Sequence, residues 1–479
     1  MLSVTAGNRS LCDGLSRREF LRVGGAALLG LNLPDILRAE GQSPVGKPRP
    51  KVKSVVLMFL EGGPAHQDTW DMKPDAPEQV RGEFRPVDTT VPGMQFCEHL
   101  PMLAKQAHHL TLVRSVHHSV ADHNAGAYYA LTGRSPVSGG NLITSPSRED
   151  FPPFGAVLAK LRPTGRSLPD FVHTPDWLSN NGSLLPGQGA GFLGGGFDPF
   201  VTGDPSLPGY KVPGLDLPRE LSLDRVGRRR ELLDAVSRSV EPGAAVDAMG
   251  VHYRKAFDLI ASPEARRAFD LSKEPRAVRE RYGLEPGNDR SREARKFGGL
   301  PQLGQSLLLT RRLVEAGVRL ITVCSGPRYD QTWDTHRDHF PLLKRSLLPY
   351  FDRGFSALIA DLHERGLLDE TLVVAVGEFG RTPKVGQITS SAGADKGGRD
   401  HWPHCYTAIF AGGGMPAGSI FGASDGYAAH PSRDPVTPED IAATVYKALG
   451  LDPETTFVHD TLNRPFALST GTPIRALVG

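Results

Sequence analysis

Five short apolar runs punctuate the chain, at residues 54–60 (SVVLMFL), 110–116 (LTLVRSV), 318–324 (VRLITVC), 371–376 (TLVVAV) and 406–410 (YTAIF). They are apolar runs rather than strict alternations. That is the pattern of strands covered on both faces, and it predicts a mostly parallel sheet between two helix layers. Polar and Gly/Pro punctuation closes the runs. The first breaks into Glu61-Gly62-Gly63-Pro64, the fourth into Gly377-Glu378, and the fifth into Gly412-Gly413-Gly414.

Helical periodicity fills the gaps. In the segment 301–317, Leu303, Leu307 and Val314 recur on one face and Gly317 supplies a stop. Residues 340–366 form a long helical stretch interrupted at Pro349 and closing at Gly366. Thr437-Pro438-Glu439-Asp440 is a cap with proline at the first helical position. Residues from about 215 to 300, rich in Arg, Glu, Leu and Ala, hold no convincing strand and read as a helical insertion. Residues 180–213 (with PGQGAGFLGGGFDPF) form a long Gly/Pro-rich loop, and loops of that length in compact domains are often functional.

Ligands of open α/β sheets bind at the carboxyl ends of strands. His117, His118, Asp122 and His123 follow the second run, and Asp330, Asp334, His336 and His339 follow the third. Glu378 and Arg381 follow the fourth. Asp400, His401 and His404 precede the fifth, so they reach that edge only if their loop folds back. Carboxylates and imidazoles converging from several strand ends are what a divalent ion requires. Oxygen ligands suit Mg, Ca and Mn, and added imidazole suits Zn, Fe and Mn. The segment HHSVADHN (117–124) fits a metal, a substrate anion or a plain polar loop equally well. Arg114 and Arg134 have the guanidinium fork that an oxyanion clamp needs, and equally suit surface salt bridges, the commoner fate.

The whole chain narrows the class. Its 479 residues carry a formal net charge of +2, which gives no basic stripe for nucleic acid. The cluster Arg228-Arg229-Arg230 reads as a solvated helix face. Ser16-Arg17-Arg18-Glu19-Phe20-Leu21-Arg22 and the apolar run that follows it read as a twin-arginine signal peptide over residues 1–39, with a linker at 40–51. That export route carries folded proteins, often with a cofactor already loaded, to the periplasm or beyond. The leader's apolar run is too short for a stable span, and no later segment is long and apolar enough to cross a membrane. Beyond Cys12 in the leader there are Cys97, Cys324 and Cys405, too few for a disulfide scaffold, although one bridge is open to them.

Several stretches carry a family resemblance: GGPAHQDTWDMKP, ALTGRSP, GQSLLLTRRLVEAGVR, TWDTH, GEFGRTP and GRDHWP. From about residue 52 to the end the chain is similar to the bacterial family called domain of unknown function 1501. More distantly, HERGLLDETLVVAVGEFGRTP (363–383) and LTGRSP (131–136) resemble segments of sulfatases and related phosphohydrolases. The resemblance implies one domain over 52–479, a three-layer alkaline-phosphatase-like core with a mostly parallel central sheet and a helical insertion. It also implies a divalent metal (Zn, Ca, Mg or Mn) at the strand ends. Glu378 falls on the metal-ligand Asp of the sulfatase Asp-His-Gly motif, with Phe379 replacing its His. Asp334 and His336 fall on the mid-chain ligand pair, and His401 near a late ligand.

The sulfatase nucleophile position falls on His123, neither Cys nor Ser. An ester intermediate on the protein therefore gives way to water activated at one metal, with His123 or Glu378 as base. Arg134, Arg381 and His118 are the expected anion-binding residues. The expected function is hydrolysis of a small-molecule or glycan sulfate or phosphate ester. The alternative is a non-catalytic glycan- or surface-binding relative that kept the fold and lost the nucleophile.

Overall fold

The computed structural model describes residues 52–215, 222–239, 256–284, 301–326 and 332–479. The expected leader and linker, and Asp330, lie outside them. Eight strands form the central sheet. In chain order they are β1 (Ser54–Phe59), β2 (Leu110–Val116), β3 (Phe171–Thr174), β4 (Phe200–Val201), β5 (Leu320–Cys324), β6 (Thr371–Val376), β7 (Tyr406–Gly412) and β8 (Ser419–Phe421). Across the sheet they run β4-β3-β5-β1-β6-β7-β2-β8. At the centre β1 pairs in parallel with β5, Val55 opposite Leu320, and with β6, Ser54 opposite Thr371. Only β7 is reversed, antiparallel to both β6 and β2.

That reversal places the His401 segment. Because β7 runs backwards, its start lies at the carboxyl edge of β6, with Ala375 opposite Ile409 and Leu372 opposite Gly412. No special fold-back is needed. β2 is again parallel to β6, so His117, His118 and His123 come to the same edge.

The continuous apolar runs are explained by two cores. The longer helices are α1 (Pro101–Gln106), α2 (His123–Thr132), α3 (Phe154–Leu161), α4 (Leu223–Ser239), α5 (Pro263–Phe269), α6 (Arg276–Tyr282), α7 (Pro301–Glu315), α8 (Leu348–Glu364) and α9 (Pro438–Ala448). Val56, Met58, Ile321, Val323, Val373 and Ala375 pack on one face with Leu307 of α7 and Phe355 of α8. Val55, Leu57, Leu320, Leu372 and Val374 pack on the other with Leu131 of α2, Val157 of α3 and Val445 of α9. Successive strand residues thus serve opposite layers, which is why both must be apolar. Burying each of the larger of these side chains (Val, Leu, Ile, Met, Phe) stabilises the fold by about 1.5–3 kcal/mol. This is a three-layer α/β core with a mostly parallel sheet.

Local expectations were met with adjustments. Thr437 and Asp440 cap α9 reciprocally, with Pro438 in the first turn. The helical stretch around Pro349 is reset rather than kinked. A π-turn at Leu343–Leu347 precedes α8, and Pro349 sits in the first turn of α8, where its missing N–H costs nothing. Strands β3, β4 and β8 are too short or too polar to stand out in the sequence. The described part of the 215–300 insertion is helical (α4, α5, α6). Arg228 and Arg229 are exposed on α4, and Arg230 pairs with Asp258 at 2.7 Å. Cys97, Cys324 and Cys405 are buried and free, so none forms a bridge. No described helix is long and apolar enough to cross a membrane.

Candidate metal centre

Four side chains meet at the carboxyl edge of the sheet: His123, Asp334, His336 and His401, whose ligand atoms all lie within 4.8 Å of one another. Three segments fix them. His123 opens α2, whose first turn is capped by Asp122 accepting from the Ala125 N–H at 2.9 Å. His401 pairs with Arg381 in a two-residue ladder between β6 and β7. Asp334 and His336 lie on the loop after β5. That loop presses so closely on Gly62 that a Cβ there, at φ +100°, would stand 2.2 Å from the Asp334 nitrogen. Glu61 clamps the start of the same segment. Its buried carboxylate accepts from Ser325 N at 3.1 Å and Gly326 N at 2.5 Å.

The hydrogen bonds assign the ring tautomers. His401 Nδ1 lies 2.7 Å from the Ala121 carbonyl, and His336 Nδ1 contacts the Gly393 carbonyl. A carbonyl only accepts, so both Nδ1 atoms carry the hydrogen. His123 Nδ1 lies 2.6 Å from Glu378 Oε1. All three Nε2 atoms therefore face inward. His336 and His401 Nε2 are 2.9 Å apart. The Asp334 Oδ1 is 2.9 Å from His336, 3.2 Å from His123 and 3.5 Å from His401.

In the neutral rings these are lone pairs directed at lone pairs and at a carboxylate. One proton relieves one such contact. A divalent cation relieves all of them at once. A tetrahedral ion with bonds of about 2.0–2.1 Å sets its ligands about 3.3 Å apart; four of the six spacings, at 2.9–3.5 Å, bracket that, and all lie within 4.8 Å. The three imidazoles held at Nδ1 by a carboxylate and two carbonyls have the outer support that metal-ligating histidines usually have. The donor set fits a borderline ion.

Electrostatics agree. Burial would raise the Asp334 carboxyl, but His123 and Arg381 hold it well below the usual range. Burial lowers His401 to about 4, so its ring is neutral and able to ligate. His123 is pulled down by burial but raised further by Asp334 and Glu378, to about 9. A metal here has to displace that proton.

The other expected residues sit elsewhere. Glu378, expected as ligand and base, lies behind His123. Its carboxylate accepts from His123 and from Gly62 N at 2.9 and 3.2 Å, and it is not in the four-residue cluster. His123, expected as base, stands among the ligand atoms. Arg381, expected on a substrate anion, is fully buried. It donates to Asp334 at 2.6 Å, to Gly63 O at 3.0 Å and to the carbonyl of Gly62. His118 is also committed: its Nδ1 accepts from Val120 N at 3.0 Å and its Nε2 donates to the Glu378 carbonyl at 2.7 Å. Arg134 follows the far end of α2, about 15 Å along the axis from His123, and stacks on Phe151 at 4.2 Å. His339 and Asp400 are held in structural networks, His339 by Asp68 and Thr335, Asp400 by Ser390 and Thr389. His404 contacts Trp402 and His430.

A family model described as protein of unknown function (DUF1501) matches residues 52–478. No curated protein matches. Among solved structures the chain is similar to the PsFucS1 sulfatase from Pseudoalteromonas sp., at 14% identity and TM-score 0.36, over 91% of this chain and 72% of that one. It is similar to the lipoteichoic acid synthase LtaP from Listeria monocytogenes, at 12% and 0.36, over 91% and 78%. It is also similar to the phosphonate monoester hydrolase SpPMH from Silicibacter pomeroyi, at 15% and 0.33, over 88% and 76%. At such scores these are distant likenesses that carry nothing about chemistry.

Proposed function

The chain belongs to the DUF1501 family, whose function is unknown, so its activity has to come from its own residues: we propose an exported, metal-dependent hydrolase of sulfate or phosphate esters. The observation that carries this is the inward convergence of three imidazole Nε2 atoms and one carboxylate oxygen on a single point. His123, Asp334, His336 and His401 would hold the ion. Three imidazoles and one carboxylate favour a borderline ion such as Zn or Mn over the hard Ca or Mg. Such an ion supplies Lewis acidity toward an ester oxygen and toward water. Glu378 keeps the Nδ1 hydrogen on His123, so that its Nε2 lone pair faces the ion. Arg381 turns Asp334 inward and offsets its charge. Export rests on the twin-arginine leader at 1–39, and replacing Arg17 and Arg18 by lysine should abolish export of a fused reporter.

Native protein should carry near-stoichiometric metal by elemental analysis, and His401→Ala should lose both metal and ester turnover. Turnover retained in metal-free His401→Ala would sink the proposal. The binding-protein reading is favoured by one feature. Arg381 and His118, expected to hold the anion, are committed to backbone and to Asp334. It requires ligand binding that persists when Asp334, Glu378 and His401 are all replaced.

A further inference from the structure

The long glycine-rich loop has so far no role. It frames a cavity of about 250 Å³ lined by Trp177, Leu185, Gln188, Arg148, Asp150 and Asp198, among others. The loop is built to make this wall. Gly187, at φ +79°, lies against α2, where a Cβ would stand 3.0 Å from the Tyr128 Cα. Gln188 pins the opposite strand, accepting from Leu178 N at 2.7 Å and donating to the Leu178 and Leu185 carbonyls at 3.0 Å. Asp198 accepts from Ala190 N at 2.7 Å and takes Arg148 as a two-point fork at 2.9 and 2.8 Å.

The cavity and the metal cluster share one edge of the sheet. Trp177 follows the carboxyl end of β3, which is parallel to β5 and therefore ends at the same edge of the sheet. Asn180, in the hairpin after Trp177, donates to Asn124 Oδ1 at 2.9 Å, one residue from His123. The hairpin that brings Leu184 into the lining is thus bonded to the first turn of the ligand-bearing helix.

The chemistry of the lining selects a ligand. A cavity of about 150 Å³ holds a benzene ring, so 250 Å³ accommodates a saturated six-membered ring with its hydroxyls. A half-buried indole offers a flat apolar surface for ring C–H groups. The fork of Arg148 and Asp198, with Asp150, offers donors and acceptors to hydroxyls. The lining holds two carboxylates, Asp150 and Asp198, to one guanidinium, Arg148, which disfavours an anion. We propose that this cavity binds an uncharged pyranose ring of a glycan, so that the ester substrate is an oligo- or polysaccharide gripped one or more rings away from its charged group. The link to esters rests on the hydrolase reading, but sugar binding itself does not.

The test uses the metal-loaded mature protein and neutral hexasaccharides of glucose, xylose, mannose and galactose as probes, followed by tryptophan fluorescence and calorimetry. Trp70 and Trp333 are buried, so the response comes from Trp177 or Trp402. At least one probe should bind. Trp177→Ala should weaken it tenfold or more, and Ser147→Trp, which fills the cavity from its exposed rim, should block it. His401→Ala should bind the sugar as well as the parent does. If no probe binds, or if binding survives both cavity variants, the proposal is overturned. Sugar binding in a protein that neither holds metal nor turns over esters would leave the cavity assignment standing and defeat only the hydrolase.

Discussion

Two polar clusters, one buried and one half-buried, lie at the same edge of the sheet, built from the same residue types, and they differ in how their partners match. In one, Asp68 accepts from His339 Nε2 at 2.9 Å and from Arg399 Nη2 at 2.9 Å, Arg399 Nε is ion-paired with it at 2.6 Å, and the two Nη atoms of Arg399 also donate to the Thr382, Pro383 and Val80 carbonyls. Both Asp68 oxygens thus face positively charged or N–H groups. In the other, three ring nitrogens and a carboxylate oxygen turn toward one another. A matched network needs no ligand, whereas the inward-facing cluster, held by the proton on His123 and the Arg381 guanidinium, has the geometry that a cation would take up. The residue types alone do not separate the two. The direction of each hydrogen does.

The sharpest way to break that contrast is one variant in each cluster. Arg399→Ala leaves Asp68 buried with its main counter-charge gone. Stability should fall by about 3–5 kcal/mol, read as a lower melting temperature in the metal-free and the metal-loaded protein alike. His336→Ala should behave in the opposite sense. In chelator it removes one of the facing lone pairs, so the variant should be at least as stable as the parent. With metal it should lose the added stability that a bound ion gives, about 4 kcal/mol at a thousandfold excess over Kd. If His336→Ala destabilised the metal-free protein as much as Arg399→Ala does, the two clusters would be the same kind of structure.

The contrast also marks what the sequence reveals. The central strands were legible because burial on both faces forces unbroken apolar runs. His401, Asp334 and His336 were legible as metal-type residues near strand ends. The exchange of places between His123 and Glu378 was not. Glu378 sits at a strand mouth, where a ligand is expected. Yet the first turn of α2 lies against it, where a Cβ added at Gly126 would stand 3.1 Å from the Glu378 Cβ, and puts His123 between it and Asp334. Nor was the fate of Arg381 legible. A guanidinium beside a metal-type cluster suggests an anion clamp, and only the tertiary structure shows its donors going to Gly62 and Gly63. The reversal of β7 was hidden for the same reason, since an apolar run has no direction.

A milder probe is pH, acting on imidazoles that belong to neither cluster's charge balance. Burial lowers His118 and His173 to about 4. Both stay neutral in the folded chain while an unfolded chain, with an ordinary histidine near 6.5, takes up protons. The unfolded state therefore binds more protons between about 6.5 and 4, so stability is greatest above that window and is lost as pH falls through it. Each group contributes at most about 3 kcal/mol to that loss. The melting temperature should fall steadily between those limits, and His173→Phe should flatten the fall. A profile rising toward acid would mean that these rings are protonated in the fold.

The smallest effect is the most discriminating. Glu378 has two candidate roles: ligand, or the group that holds His123 in place. Glu378→Gln keeps the shape and an oxygen for the Gly62 N–H but removes the charge behind the His123 ring. Outer partners of this kind typically alter metal affinity by about 10–100-fold. The variant should therefore still fill to one ion per chain at high metal concentration, with Kd raised by that factor. A ligand lost outright would leave a site that no longer fills. Metal titrations of the parent, Glu378→Gln and His401→Ala side by side should thus give three distinct curves. Glu378→Gln coinciding with His401→Ala would move the carboxylate from behind the imidazole onto the metal itself.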